Sequence, residues 1–187
     1  MDAVQSRREW MQQTVTGASA LLMGGVSAAT SLAQGASKPI NVRVVDKAGY
    51  DKIVAANKGK VVVVDCWATW CLPCRKAFPE TVKLSKAYAD KGVVVVSLSF
   101  DEPVKGQVPD KVKEFLVKQD AQFENLVSSL DISDDGADVF DIAEGALPHF
   151  KIYGKDGKLF KKFESGEDKE FTHELIESAV KAAIKAK

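Results

Sequence analysis

A β-branched run that leads directly into a cysteine pair constrains this chain more than any other feature. Val61-Val62-Val63-Val64-Asp65-Cys66-Trp67 is apolar at nearly every position. Strands of that kind are buried on both faces, which places Val61–Trp67 at the centre of a helix-covered sheet. The run continues through Ala68-Thr69-Trp70 into Cys71-Leu72-Pro73-Cys74. Helical spacing of Phe78, Val82, Leu84 and Tyr88 predicts a helix from just after Cys71 to about Asp90. The pair thus stands at a strand–helix junction, where unpaired backbone N–H groups and the helix dipole favour a thiolate. A one-turn spacing lets the two sulfurs meet, and Pro73 suits a first turn, where a missing N–H costs nothing. The chemistry this arrangement predicts is thiol–disulfide exchange, with Cys71 attacking and Cys74 resolving.

The remaining pattern is α/β. Residues 93–100 read as a second buried strand, and the helix-long spacing between the two strands predicts a parallel crossover. Ile40-Asn41-Val42-Arg43-Val44-Val45 alternates like an edge strand, and Asp46 is placed to cap a short helix that turns Tyr50, Ile53 and Val54 inward. Asp110 opens a helix carrying Val112, Phe115, Leu116 and Val117, and residues 123–127 add a short strand. The acidic residues 131–138 read as a loop leading into a turn at residues 139–142. Asp156-Gly157 marks a hairpin between Phe150-Lys151-Ile152-Tyr153 and Lys158-Leu159-Phe160. Residues 168–185 predict an amphipathic helix through Phe171, Leu175, Ile176, Val180 and Ile184. The expected whole is a mixed sheet, parallel at its centre with an antiparallel hairpin on one edge, flanked by helices.

The first 36 residues read as an address. Arg7 and Arg8 precede an uncharged stretch at residues 15–33, and small residues follow in Ser31-Leu32-Ala33 and Gln34-Gly35-Ala36. That order predicts a secretory leader of the twin-arginine type over residues 1–36, with residues 37–187 as the exported domain. Gly17, Ser19, Gly24 and Gly25 make the stretch a poor bilayer anchor, although a retained leader would tether the domain. The expected location is the bacterial periplasm or another exported, oxidising compartment, where a cysteine pair can hold a disulfide. Three cysteines are too few for a disulfide scaffold, so cysteine chemistry is local. The balance of 26 basic and 26 acidic residues argues against nucleic acid as a partner, since displacing counterions needs a surplus of cations.

Asp65-Cys66-Trp67-Ala68-Thr69-Trp70-Cys71-Leu72-Pro73-Cys74 resembles the thioredoxin superfamily pattern, and Arg75-Lys76-Ala77-Phe78-Pro79-Glu80 is similar to its exported TlpA/ResA-like branch. The resemblance runs from about Ile40 onward. It implies a thioredoxin fold with a helix–strand segment inserted before a cis-proline. Pro148, in Gly145-Ala146-Leu147-Pro148-His149-Phe150, matches that proline, which would leave the Leu147 backbone free to pair with an extended substrate strand. Asp65 matches the family's buried acid, whose pKa burial should raise and which would exchange a proton with Cys74. Trp67, Trp70, Leu72, Pro73 and Leu147 are expected to shape the substrate groove. The sequence departs from the family at Ala77, where ResA-like proteins often carry a glutamate. It departs again at Ser97, in place of the lysine that accompanies the acid in cytosolic thioredoxins. The resemblance implies a reductant of protein disulfides, supplied by a membrane thiol carrier, and the chain is expected to be a monomer. Apocytochrome c or a copper-centre assembly protein would fit as substrate, and no bound cofactor or metal is called for.

Other readings stand beside it. A purely structural disulfide would close too short a loop to restrict the unfolded chain much. A copper-handling module could use Cys71, Cys74 and a histidine, since soft thiolates bind Cu(I). A thioredoxin-fold adaptor could hold exported polypeptides without turnover. Cys66 reads as a small core residue, His149 as structural or substrate-contacting, and His173 as solvent-facing.

Overall fold

Every residue of the strand Val61–Trp67 is buried, as its composition requires. The computed structural model describes residues 39–166 and 171–186, so the leader expected over residues 1–36 lies outside the described residues. In chain order the elements are β1 (Val42–Val45), α1 (Lys47–Ala56), β2 (Val61–Trp67), α2 (Leu72–Tyr88), β3 (Val93–Ser99) and α3 (Asp110–Lys118). They continue with β4 (Glu124–Ser128), α4 (Asp134–Val139), β5 (His149–Tyr153), β6 (Leu159–Phe163) and α5 (His173–Lys185).

The strands form one sheet in the order β1-β4-β3-β2-β5-β6. β1, β4, β3 and β2 run parallel, and β5 and β6 add an antiparallel hairpin beside β2. This is the expected thioredoxin fold. The α3–β4 segment is the insertion before Pro148, and its strand enters the sheet between β1 and β3.

Alternation along the strands divides the core. Val61 and Val63 join Leu84 and Tyr88 of α2 with Ile176, Val180 and Ala183 of α5. Trp67 continues that face towards Phe78 of α2 and Val112 and Leu116 of α3. Val62, Val64 and Cys66 face the other way, onto Tyr50 and Val54 of α1 and onto Phe140 and Ile142. The cysteine pair therefore lies at the carboxyl end of β2, held by elements packed on both faces.

Three expectations are corrected. The acidic stretch is not loop throughout, because α4 begins at Asp134. Ala137 within that helix and Phe140 and Ile142 after it are buried, with Phe140 against Tyr50 and Phe100, and this anchoring folds the segment onto the sheet. Val117 faces solvent at 58% exposure, because Val112 and Leu116 already fill the inward stripe of α3. The last helix starts at His173, capped by Thr172, whose hydroxyl accepts from the Leu175 N–H, while its expected start at residue 168 lies outside the described residues. Its buried stripe is Ile176, Ala179, Val180 and Ala183. Leu175 sits one position off it and is exposed, and Phe171 packs on Phe150 and Phe163 from ahead of the helix.

Candidate functional site

Cys71 is the N-cap of α2, and Pro73 lies in its first turn. The extended backbone of Cys71 turns its sulfur back over the helix start, where Sγ accepts the Cys74 N–H at 3.2 Å. An N–H donor at the positive end of a helix stabilises negative charge on sulfur. Cys71 and Cys74 are joined in a disulfide, and both are largely covered, with Cys71 at 6% exposure and Cys74 at 2%. Cys71 is the more open of the two.

Asp65 is buried on β2, on the face that α2 covers. Burial pushes its carboxyl up to about 7, against one opposing contact, a 2.6 Å hydrogen bond donated by the Thr81 hydroxyl to Oδ2. Cys74, Phe78 and Thr81 all lie on the buried stripe of α2, so the acid and the inner cysteine share one helix face. Ser97 is the β3 partner of Asp65 in register, but its hydroxyl donates to Asn125 Oδ1 at 2.8 Å. With serine at that position in place of a lysine, burial is the dominant influence on the carboxyl.

The Leu147-Pro148 peptide is cis. The Pro148 carbonyl accepts from the Ser165 hydroxyl at 2.6 Å, which ties the loop before β5 to the end of β6. Pro73 and Ala77 of α2 form one wall of a cleft whose other walls include Leu147, Pro148, Phe171 and His173. Trp70 and Leu72 are exposed, at 57% and 56%, on either side of Cys71 in the chain. The structure thus brings Cys71, Cys74, Pro73, Leu147 and Pro148 together at one edge, with Asp65 beneath.

Trp67 departs from expectation. It is fully buried, its ring centroid 4.7 Å from Phe115 and 4.9 Å from Phe78, so it supports the site from below and does not line a groove. Its place at the end of a doubly covered strand is the cause. His173 is half-buried against the Phe150 ring and lines the cleft beside Pro148, contrary to a solvent-facing position.

His149 is fully buried at the head of β5, in register with Cys66. It faces the α1 side of the sheet, so it is not brought to the cysteine pair. Neither ring nitrogen has a hydrogen-bond partner among the described residues, and burial lowers its pKa to about 4. Cys66 sits in the same core, where burial pushes the thiol up to about 12 and leaves it unreactive.

Two residues escaped the sequence reading. Thr81 could have been found from its spacing, since it shares a helix face with Cys74. Asp101 is fully buried just beyond β3 and accepts from the Thr69 N–H at 2.7 Å and from the hydroxyls of Thr69 and Ser99. Lys111 adds an ion pair at 2.6 Å. Burial alone would raise this carboxyl, yet the bonds from Lys111, Thr69 and Ser99 outweigh it and hold the pKa below the ordinary value. Asp101 thereby pins the Thr69-Trp70 turn that presents Cys71. The only sequence signal was an acid directly after a buried strand.

Comparison with known proteins bears on family and fold. The Redoxin family matches residues 34–181. ResA, a thiol-disulfide oxidoreductase of Bacillus cereus, is 32% identical over 114 residues, covering 60% of this chain and 60% of that protein. The thioredoxin-like protein YneN of Bacillus subtilis is 40% identical over 78 residues, covering 42% of this chain and 44% of YneN. The matches to these two thus span less than two thirds of the relatives' own length. A crystal structure of a putative thiol:disulfide interchange protein DsbE from Chlorobium tepidum shares the fold at 23% identity, with a TM-score of 0.56 over 70% of this chain and 84% of that one.

Proposed function

The chain belongs to the Redoxin family, and from that premise we propose that it is an exported protein thiol–disulfide oxidoreductase acting as a reductant. One observation carries the reading: a cysteine pair caps α2 across from a cis-proline, above a buried acid whose pKa is raised to about 7.

The chemistry follows from those positions. In the reduced protein the Cys71 thiolate attacks one sulfur of a substrate disulfide. That bond breaks, a Cys71–substrate disulfide forms, and the other substrate sulfur leaves as a thiolate. Ionised Asp65 takes the proton from the Cys74 thiol. The Cys74 thiolate attacks Cys71 Sγ, displaces the second substrate thiolate and closes the Cys71–Cys74 disulfide. Two electrons pass to the substrate. The free backbone of Leu147, beside Pro148, would pair with the substrate strand. A membrane thiol carrier would return the electrons, and apocytochrome c or a copper-centre assembly protein would be the substrate. The Arg7-Arg8 leader is the basis for export.

The test is the reduction potential of the pair, followed by tryptophan fluorescence in dithiol and glutathione buffers. A couple at or below about −230 mV supports a reductant, and one near about −120 mV makes the protein an oxidant. No reversible couple would remove the enzyme reading altogether.

A further inference from the structure

We propose that the cleft on the α3 side of Cys71 docks an acidic segment of the polypeptide substrate, next to the cysteine being reduced. This rests on the oxidoreductase reading above and names the class of substrate. The cleft, of about 560 Å³, is lined by Thr69 and Leu72, which bracket Trp70 and Cys71 in the chain. It therefore adjoins the redox pair on the side away from Pro148.

Its walls are cationic. Arg75 and Lys76 come from α2, Lys111 and Lys118 from α3, and Glu114 is the one acid among the lining residues. Lys111 is matched by Asp101, but Arg75, Lys76 and Lys118 are exposed and have no ion-pair partner among the described residues. The whole chain carries 26 basic and 26 acidic residues, so this is a local concentration and not a general surplus.

Helix stability does not account for it. The start of α2 has no acid in its first turn, and Arg75 and Lys76 follow at once, near the positive end of the dipole, where cations are disfavoured. The first turns of α3 and α5 carry Asp110 and Glu174, as stability prefers, and α1, which also lacks an acid there, has the carboxylate of Asp46 as its N-cap. The cleft beside Pro148 contrasts with this one, since Pro73, Ala77, Leu147 and Phe171 give it uncharged walls. A strand lying across the cysteines would meet neutral surface on one side and unpaired cations on the other. Carboxylate side chains flanking its cysteine complete those charges.

The experiment uses the full reduced chain and two peptides with an internal disulfide, matched except for Asp and Glu or Asn and Gln beside one cysteine. Loss of cations near Cys71 alters its thiolate for both peptides alike, so the quantity read is the ratio of their kcat/KM values. Wild type is expected to favour the acidic peptide by about fivefold to tenfold at low salt. The preference should shrink at high salt and vanish in the Lys76→Glu/Lys118→Glu variant. A wild-type ratio near one, or a preference untouched by salt and by the charge reversal, overturns the docking site while leaving the oxidoreductase intact. Failure to reduce either peptide overturns both.

Discussion

The Thr81 hydroxyl lies 2.6 Å from Asp65 Oδ2 and donates to it, from the same buried face of α2 that carries Cys74. This is the contact that holds the carboxyl down while burial drives it up to about 7. Thr81→Val keeps the shape and removes the donor, so the Asp65 pKa rises further. A hydrogen bond to a charged group contributes about 1.5–3 kcal/mol, so the pH profile of mixed-disulfide resolution should move up by about one to two pH units. Stopped-flow rates against pH give the answer. An unmoved profile would take Asp65 out of the resolving step, since a merely structural loss would lower rates without displacing the midpoint.

Asp65 and His149 pull stability in opposite directions as pH changes. With a folded pKa of about 7 against an ordinary 3.8, Asp65 holds its proton in the folded state across that window, so its contribution is lost as pH rises through it. His149, lowered from 6.5 to about 4, does the reverse: the unfolded state takes up the proton first, so stability is lost as pH falls from 6.5 towards 4. Between pH 4 and 6.5 the two slopes nearly cancel in the oxidised protein. Asp65→Asn should stabilise it at neutral pH and unmask an acid-side loss of up to about 3 kcal/mol. Denaturant unfolding from about pH 4 to about pH 7.5 measures this, and a variant as flat as wild type would mean that His149 keeps its ordinary pKa in the folded protein.

In the proposed mechanism, Cys74→Ser removes the resolving thiol and leaves the attacking one. It should accumulate protein–Cys71 mixed disulfides that migrate as adducts without reductant and dissolve with it. Cys71→Ser should form none, because Cys74 is the more deeply covered of the two, at 2% exposure. Adducts on Cys74 in that variant would reverse the assigned roles.

The two tryptophans beside the motif should separate cleanly. Trp67 is fully buried against Phe78 and Phe115, so Trp67→Ala is expected to cost about 3–5 kcal/mol of stability. Trp70 is 57% exposed, and Trp70→Ala should cost less than about 1 kcal/mol while weakening exchange with a protein substrate. Urea midpoints and turnover on one protein disulfide decide it, and equal losses of stability would refute the division.

What was legible in the sequence was whatever local pattern controls. Val61–Trp67 announces a buried central strand by composition, and Cys71 and Cys74 announce a helix start by spacing. Pro148 was legible through a resemblance, because no local rule distinguishes a cis from a trans X–Pro bond in a single sequence. Side-chain direction at element ends was harder. Trp67 reads as part of a surface motif until the sheet shows it facing α2 and α3, and His173 reads as polar until Phe150 shows that it is packed. Asp101 was invisible for a related reason. Its partners Thr69 and Lys111 lie 32 residues before it and 10 after, and only the β2–β3 pairing brings the first of them near.

Asp101 supplies the most direct test of how the site is held. Its carboxylate accepts from the backbone and hydroxyl of Thr69 and from Ser99, and it pairs with Lys111, all without exposure of its own. Asp101→Ala leaves the Thr69 N–H and the Ser99 hydroxyl without their acceptor, and a charge-assisted set of that kind costs about 3–5 kcal/mol when one partner is removed. Asp101→Asn keeps one acceptor oxygen and should lose less. The functional effect should exceed the loss of stability, because the Thr69-Trp70 turn directly precedes Cys71. In buffer where both variants remain folded, exchange should slow more than tenfold in Asp101→Ala and recover in part in Asp101→Asn. Rates that follow only the folded fraction would reduce Asp101 to an ordinary core anchor.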